Sequence, residues 1–194
     1  MGSPSVADGM VFASSNARTY YAINATTGDI VWTYSDPAAI EFIYNSPIYV
    51  NGELFIIDKY NIACLNATNA HTIWSFYTGD ETYVSPSYAD GKIYVVTSER
   101  HIFILDAANN GTKIATATTP SSNWSSPTIA NGNLYVGCNN WDVYCFSNYV
   151  TNEVSTPSQV ISGYILVAVI AVIVVAVIVA TVAVGYVIRK RSKK

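Results

Sequence analysis

Ser-Pro occurs four times in this chain, at Ser3-Pro4, Ser46-Pro47, Ser85-Pro86 and Ser126-Pro127, with separations of 43, 39 and 41 residues. Six residues after each of these serines stands the glycine of an Asp-Gly or Asn-Gly pair: Asp8-Gly9, Asn51-Gly52, Asp90-Gly91 and Asn131-Gly132. A recurrence at fixed offset over a period of about 40 residues means that one supersecondary unit is used again and again. Asn-Gly or Asp-Gly between short apolar runs specifies a two-residue hairpin turn, because both central residues need positive φ.

The flanking runs are therefore strands. An aliphatic and an aromatic residue follow each turn: Val11-Phe12, Leu54-Phe55, Ile93-Tyr94 and Leu134-Tyr135. A third run comes next, 20–23, 62–65, 102–105 and 143–146, closed by Asn24, Asn66, Asp106 or Ser147, side chains that form Asx or Ser turns. A fourth run spans 29–34, 72–76 and 113–118. Four short antiparallel strands per unit is the pattern of a propeller blade, whose sheets stack around an axis because none can bury its faces alone. Ala22, Cys64, Ile104 and Cys145 share one position of the third run, which assigns two of the three cysteines to the core. With Cys138 they are too irregularly spaced for a disulfide framework or a zinc site.

The residues Ala22-Ile23-Asn24-Ala25-Thr26-Thr27-Gly28-Asp29-Ile30-Val31-Trp32 resemble the Ala-x-Asp-x-x-Thr-Gly-x-x-x-Trp docking motif of PQQ-like repeats, with Asn in place of Asp. That family includes the quinoprotein dehydrogenases and the propeller lipoprotein of bacterial outer-membrane barrel assembly. The resemblance covers residues 3–147, and Cys64 to Trp74 is a second, degenerate copy of the motif. It implies that Trp32 and Trp74 pack between adjacent blades, with Gly28 shaping the turn before the first of them. The third unit departs from the pattern, with Ile114 or Ala115 where the tryptophan would lie. A WD40 propeller has the same period, but Trp141-Asp142 occurs once and in the wrong place.

These readings give an all-β fold: a partial β-propeller of about four four-stranded antiparallel blades, near 3–45, 46–84, 85–125 and 126–147, within a PQQ-like region 1–147. The last blade is expected to stop after its third strand, leaving 148–163 as a polar stalk. No strand precedes Ser3 to close the ring, and Met1-Gly2-Ser3-Pro4 has neither a basic nor an apolar export region. Both features predict upstream blades in a longer gene product. The alternative is a homodimer whose two chains pool their blades, aided by the small-residue pairs Ala176/Ala180 and Thr181/Gly185.

Ile165 to Ile188 is 24 residues without a charge, about 36 Å as a helix, against a bilayer core of about 30 Å. In lipid every backbone polar group must bond internally, so the run predicts one C-terminal transmembrane α-helix, 164–188, followed by a basic tail, 189–194. The tail carries Arg189, Lys190, Arg191, Lys193 and Lys194, whereas residues 1–162 hold five basic against thirteen acidic side chains, a net charge of −8. Positive charge stays on the cytoplasmic side, which predicts a single-pass cell-membrane protein with the N-terminal domain outside. A tail-anchored protein with a cytosolic domain is the competing topology. Sequons at Asn24, Asn66, Asn110 and Asn123 are candidate N-glycosylation sites and fit the exterior reading.

The chemistry of catalysis is sparse. Quinone-dependent catalysis in the resembling family implies adjacent cysteines, a calcium site and a catalytic Asp; the cysteines here are separate. Asp106-Ala107-Ala108-Asn109-Asn110-Gly111 starts like a calcium loop but lacks its second ligand and has Ala117 where Glu belongs. His71 and His101 have no partner at metal-ligand or nucleophile spacing. The reading is therefore of no enzyme, no catalytic, cofactor-binding or metal residues and no cofactor, and the acidic domain argues against nucleic acid.

Propellers bind through loops at one face. The second-to-third and fourth-to-first connections gather Arg18, Tyr60, Arg100, His101, Trp124 and Trp141, with Phe42, Tyr44, Tyr77 and Tyr83 nearby. Aromatic and Arg side chains are enriched in binding hot spots, so this is the candidate partner-binding face. The opposite face carries the sequons Asn24, Asn66 and Asn110. A third strand leading out toward the stalk on that side would aim the aromatic face away from the membrane. The expected function is a non-catalytic, membrane-anchored extracellular propeller that binds or scaffolds protein or glycan partners. The alternative is the C-terminal part of a membrane quinoprotein dehydrogenase.

Overall fold

A computed structural model of the chain describes residues 2–15, 19–35 and 45–147 and the backbone of the strand Gln159–Ser162. Arg18, Phe42, Tyr44, the expected transmembrane run Ile165–Ile188 and the basic tail lie outside the described residues. The chain divides into two compact units, Met1–Val160 and Ile161–Lys194. Every regular element among the described residues is a strand, and no helix there is long and apolar enough to cross a membrane.

The strands are β1 (Ser5–Ala7), β2 (Met10–Ser15), β3 (Thr19–Asn24), β4 (Ile30–Tyr34), β5 (Ile48–Val50), β6 (Glu53–Asp58), β7 (Asn61–Asn66) and β8 (Thr72–Tyr77). They continue as β9 (Ser87–Ala89), β10 (Lys92–Val96), β11 (His101–Asp106), β12 (Thr112–Thr118), β13 (Thr128–Ala130), β14 (Asn133–Gly137), β15 (Asp142–Ser147) and β16 (Gln159–Ser162). They form four sheets of four strands, each in sequential order and each one blade of a β-propeller arrangement. The turns between first and second strands hold both central residues at positive φ: +47° and +74° at Asp8-Gly9, +48° and +85° at Asn51-Gly52, +50° and +73° at Asp90-Gly91, and +51° and +71° at Asn131-Gly132. That is the type I′ geometry for which Asn-Gly and Asp-Gly are selected.

Each blade's two faces are read off by alternate residues of its inner strands. Leu54, Ile56, Ala63 and Leu65 of the second blade pack with Phe12, Tyr20 and Ala22 of the first, while Phe55, Ile57, Ile62 and Cys64 pack with Ile93, Val95 and Leu105 of the third. Tyr94, Val96, Ile102 and Ile104 of the third blade meet Leu134, Val136 and Phe146 of the fourth. The core is thus three stacked interfaces rather than one centre. Each fully buried Leu, Ile or Phe contributes about 1.5–3 kcal/mol.

The recurring serines link the blades at their inner edge. The Ser3 backbone N–H donates to Ser46 Oγ at 2.7 Å, Ser46 N–H to Ser85 Oγ at 2.7 Å, and Ser85 N–H to Ser126 Oγ at 3.1 Å. The hydroxyl of each serine after the first serves the blade before it, and the proline that follows has no N–H that would need an acceptor.

A β-bulge recurs at one place in three blades, between Ala22 and Ile23, Cys64 and Leu65, and Ile104 and Leu105. Opposite it the register pairs Ala22 with Trp32, Cys64 with Trp74 and Ile104 with Ala115, so Ala115 stands at the tryptophan position of the third blade. Docking there does not fail: Tyr94, Ala115, Ala117, Val136, Tyr144 and Phe146 close the interface without an indole.

Two expectations are corrected. The fourth blade is not left at three strands, because β16 takes the place beside β15 that β4, β8 and β12 take in their sheets. The segment expected to be stalk therefore contains a strand, and the chain does not leave the sheet from its third strand. The premise for aiming the aromatic face away from the membrane falls with it.

Candidate partner-binding face

The two tryptophans of the docking motif behave as interface residues, in different ways. Trp32 lies against Phe12 and donates from Nε1 to the Ala67 carbonyl of the next blade at 2.9 Å. Trp74 is buried beside Phe55 with its Nε1 unpartnered, and a Cβ built on Gly111 of the next blade would sit 2.5 Å from its ring. Gly28 closes the turn before β4 at φ +80° and donates to the Asn24 carbonyl at 2.9 Å. Asn24 Oδ1 accepts from Thr26 and Thr27 N–H at 2.8 and 3.0 Å, Asn66 Oδ1 from Thr68 N–H at 2.9 Å, and Asp106 Oδ1 from Ala108 and Asn109 N–H at 3.1 and 3.2 Å. These are the expected Asx turns, the Asp106 loop among them. His71 is exposed in the equivalent turn of the second blade.

At the opposite ends of the blades the connections are fastened by repeated hydrogen bonds. Thr78 N–H donates to the Tyr60 carbonyl at 2.8 Å and Thr119 N–H to the Arg100 carbonyl at 2.9 Å, tying each fourth strand to the second-to-third turn of its own blade. Between blades, Ser98 N–H donates to the Glu81 carbonyl at 2.8 Å and Asn139 N–H to the Ser122 carbonyl at 3.0 Å. Loops held this way present side chains at low entropic cost.

Several of those side chains are large and uncovered. Trp141 is 83% exposed, Tyr77 67% and Trp124 65%. Trp124 stacks on Tyr83, centroids 5.7 Å apart and planes 26° apart, and Tyr60 leans on Tyr77 at 6.5 Å. Arg100 and Trp141 occupy one turn position in successive blades, at φ +78° and +67°. Bulky residues rarely adopt that region, so the turns hold them there at a cost in backbone strain.

The polar layer beneath includes residues that sequence reasoning missed. Glu81 accepts from Lys59 Nζ at 2.8 Å, from the Tyr60 hydroxyl at 3.0 Å and from the Tyr83 hydroxyl. The Lys59 contact first, then the Tyr83 bond, hold its carboxyl down to about 2. Lys59 also lies over the Tyr60 ring at 5.0 Å. His101, for which the sequence offers no partner at metal-ligand or nucleophile spacing, bonds Asp80 through Nδ1, and Thr97 Oγ1 reaches the same carboxylate at 3.1 Å. Alignment backwards from Ser-Pro would have exposed this order, since Tyr83 and Trp124 both precede their serine by two residues and Thr78 and Thr119 by seven.

Asn123 is the sequon that the structure removes. It is buried at the loop position of Thr82, its Nδ2 donating to Thr119 Oγ1 at 2.8 Å and to the Thr97 carbonyl at 3.3 Å, its Oδ1 accepting from Cys138 Sγ at 2.9 Å. Both amide hydrogens are engaged, so a glycan there would break the loop. Asn110 is exposed, and Asn24 and Asn66 are partly so, on the other face.

None of the three cysteines is in a disulfide, and Cys64 and Cys145 are buried as expected. Burial pushes the Cys64 thiol up to about 12 and also raises Cys138. Among the described residues no three His, Cys, Asp or Glu side chains converge as a metal site. The described residues do not fit a quinone cofactor: the thiols sit apart in separate packing sites, and Asp80 and Glu81 are already held by His101, Thr97, Lys59 and two tyrosines.

Fold and face together define a β-propeller of tandem four-stranded repeats with a hydrogen-bonded loop face. Residues 1–56 match the family model described as outer membrane protein assembly factor BamB. Among solved structures, BamB from Moraxella catarrhalis superposes with a TM-score of 0.69 at 13% identity, over 82% of this chain and 51% of that one. Quinohemoprotein alcohol dehydrogenase from Comamonas testosteroni gives 0.69 at 14% identity, over 83% and 34%. Tetrathionate hydrolase of Acidithiobacillus ferrooxidans is 24% identical over 68% of this chain and 32% of its own length. The chain thus spans about a third of that curated relative and half of the BamB structure. The match over residues 1–56 and the shared propeller fold support the resemblance to PQQ-like repeats.

Proposed function

We propose that this chain is a non-catalytic, membrane-anchored propeller whose loop face binds a protein or glycan partner outside the cell. The observation that carries the proposal is the group of uncovered aromatic side chains, Tyr77 at the end of β8 and Trp124 and Trp141 on connections fixed by hydrogen bonds. Fixed aromatic rings lose little entropy on binding and suit both protein anchors and sugar faces. Anchoring is supported by the uncharged stretch Ile165–Ile188 and the basic residues after it, which favour an exterior N-terminal domain and a cytoplasmic tail. The role of BamB as an outer membrane protein assembly factor supports a scaffolding use of such a propeller.

The test is binding of the full-length chain, displayed on cells, to a glycan array and to surface proteins captured by proximity labelling. Trp124→Ala with Trp141→Ala is expected to weaken the recovered interaction at least about tenfold, or about 1.4 kcal/mol. Both side chains are exposed, so the fold survives the change. Binding that is indifferent to the double substitution, or no ligand on either screen, sinks the proposal.

A further inference from the structure

One carboxylate gathers the rings of the loop face. Glu81 Oε1 accepts from Lys59 Nζ at 2.8 Å and from the Tyr60 hydroxyl at 3.0 Å, and its Oε2 accepts from the Tyr83 hydroxyl. Tyr60 leans on Tyr77, and Tyr83 stacks on Trp124, so four rings from the second blade and the two loops after it form one strip, Tyr77, Tyr60, Tyr83, Trp124. The end rings, Tyr77 and Trp124, are exposed, while Tyr60 and Tyr83 are partly covered. The backbone beneath is fixed as well. Thr82 N–H donates to the Lys59 carbonyl at 2.6 Å, and the N–H and hydroxyl of Ser98 both donate to the Glu81 carbonyl, at 2.8 and 3.0 Å. Rings oriented in advance lose little rotamer entropy when a ligand arrives.

The strip has almost no net charge. Glu81 is paired with Lys59, Asp80 in the same loop is held by His101 and Thr97, and the exposed Glu99 and Arg100 of the next turn bring one charge of each sign. It is also free of exposed aliphatic surface: among the described residues the large uncovered aliphatic side chains, Val6, Ile30, Val31, Ile73 and Val143, all lie within strands. Hydroxyls and amides stand close by. Ser122, two residues before Trp124, accepts through Oγ from Asn139 Nδ2 at 3.0 Å, and Asn139 and Asn140 are both exposed.

Protein hot spots sit in packed, desolvated pockets, whereas Trp124, with one face taken by Tyr83, offers the other to solvent. The C–H face of a pyranose packs flat on such a ring, its hydroxyls bond to neighbouring amides and hydroxyls, and it needs no counter-charge. From this chemistry we propose that the strip binds a neutral glycan chain, with one sugar stacked on Trp124 and another on Tyr77, and with Glu81 positioning Tyr60 and Tyr83 between them. The proposal rests on the loop face being the binding surface, as above, and names the class of its ligand.

The test uses the full chain in phosphatidylcholine nanodiscs, free of sugar-headed detergent. It is titrated with neutral oligomers of the cellulose, chitin and amylose types, from dimer to hexamer, and in parallel with a sulfated oligosaccharide of similar length. Affinity for a neutral oligomer is expected to rise with length as the second ring is reached. Trp124→Ala and Tyr77→Ala are each expected to weaken the longer oligomers at least about tenfold, and Trp124→Phe to keep most of the binding. Both side chains are exposed, so the variants fold, which circular dichroism checks. Binding of the sulfated chain alone, binding unchanged by either alanine, or no binding of any neutral oligomer overturns the proposal. In the last case, a surface protein captured through Trp124 in the display experiment leaves the loop face as a binding surface for protein, whereas nothing captured there removes both readings.

Discussion

Gly28 and Gly111 have similar backbones, φ +80° and +66°, and different surroundings. Nothing lies within 4 Å of a Cβ at Gly28, whereas one at Gly111 would drive into the Trp74 ring at 2.5 Å. Gly28→Ala should cost about 1 kcal/mol of left-handed strain, and Gly111→Ala about 1–3 kcal/mol beyond that from overpacking; urea unfolding of the two variants measures the difference. Equal losses would mean that Trp74 moves aside freely. At Glu81 the variable is pH. Its carboxyl is lowered from 4.5 to about 2 by Lys59 and then Tyr83, so its contribution to stability is present above about pH 4.5 and disappears as the pH falls toward 2. Glu81→Gln should flatten that part of the acid-stability curve, followed by denaturant titration at pH 7, 4.5 and 2. A wild type and variant that lose stability in parallel would rule out the Lys59–Glu81 contact as its source.

At the level of the strand and turn, much was legible. Asn-Gly and Asp-Gly announced the type I′ hairpins because few other pairs hold two positive φ angles in succession. The fourth strand of the last blade was missed for a physical reason: β16 follows β15 only after residues 148–158 and carries no docking aromatic, so neither spacing nor composition marked it. Trp74 and Ala115 show the same limit, since the register makes them equivalent while the sequence hides the bulge that aligns them. The Ser-Pro spacing was plain, but what the serine does was not, because its bond runs to the neighbouring blade. Ser85→Ala leaves the Ser46 N–H without its acceptor and should cost about 1 kcal/mol, whereas Ser3→Ala removes no rung among the described residues. Thermal unfolding of the two variants checks the contrast, and equal losses would mean that the ladder contributes nothing.

In the molecule as a whole, the loop face could be found from sequence only as a set of residue types. Trp124, Trp141 and Tyr60 were legible because aromatic residues in turns are conspicuous; Asp80, Glu81 and Lys59 were not, because their significance lies in contacts between strand-connecting turns and the loop that leads from the second blade to the third. Asn123 shows the converse, a surface motif in the sequence that folding turns inward. The serine bonds have a final consequence. Every rung points the same way, from the amide of one repeat to the hydroxyl of the next, so the stack has a direction and its two ends are unlike. A gene of this design can lengthen or shorten by whole periods, each new unit finding its socket ready made, while a gain or loss of half a period would strand one hydroxyl and turn a greasy face to water.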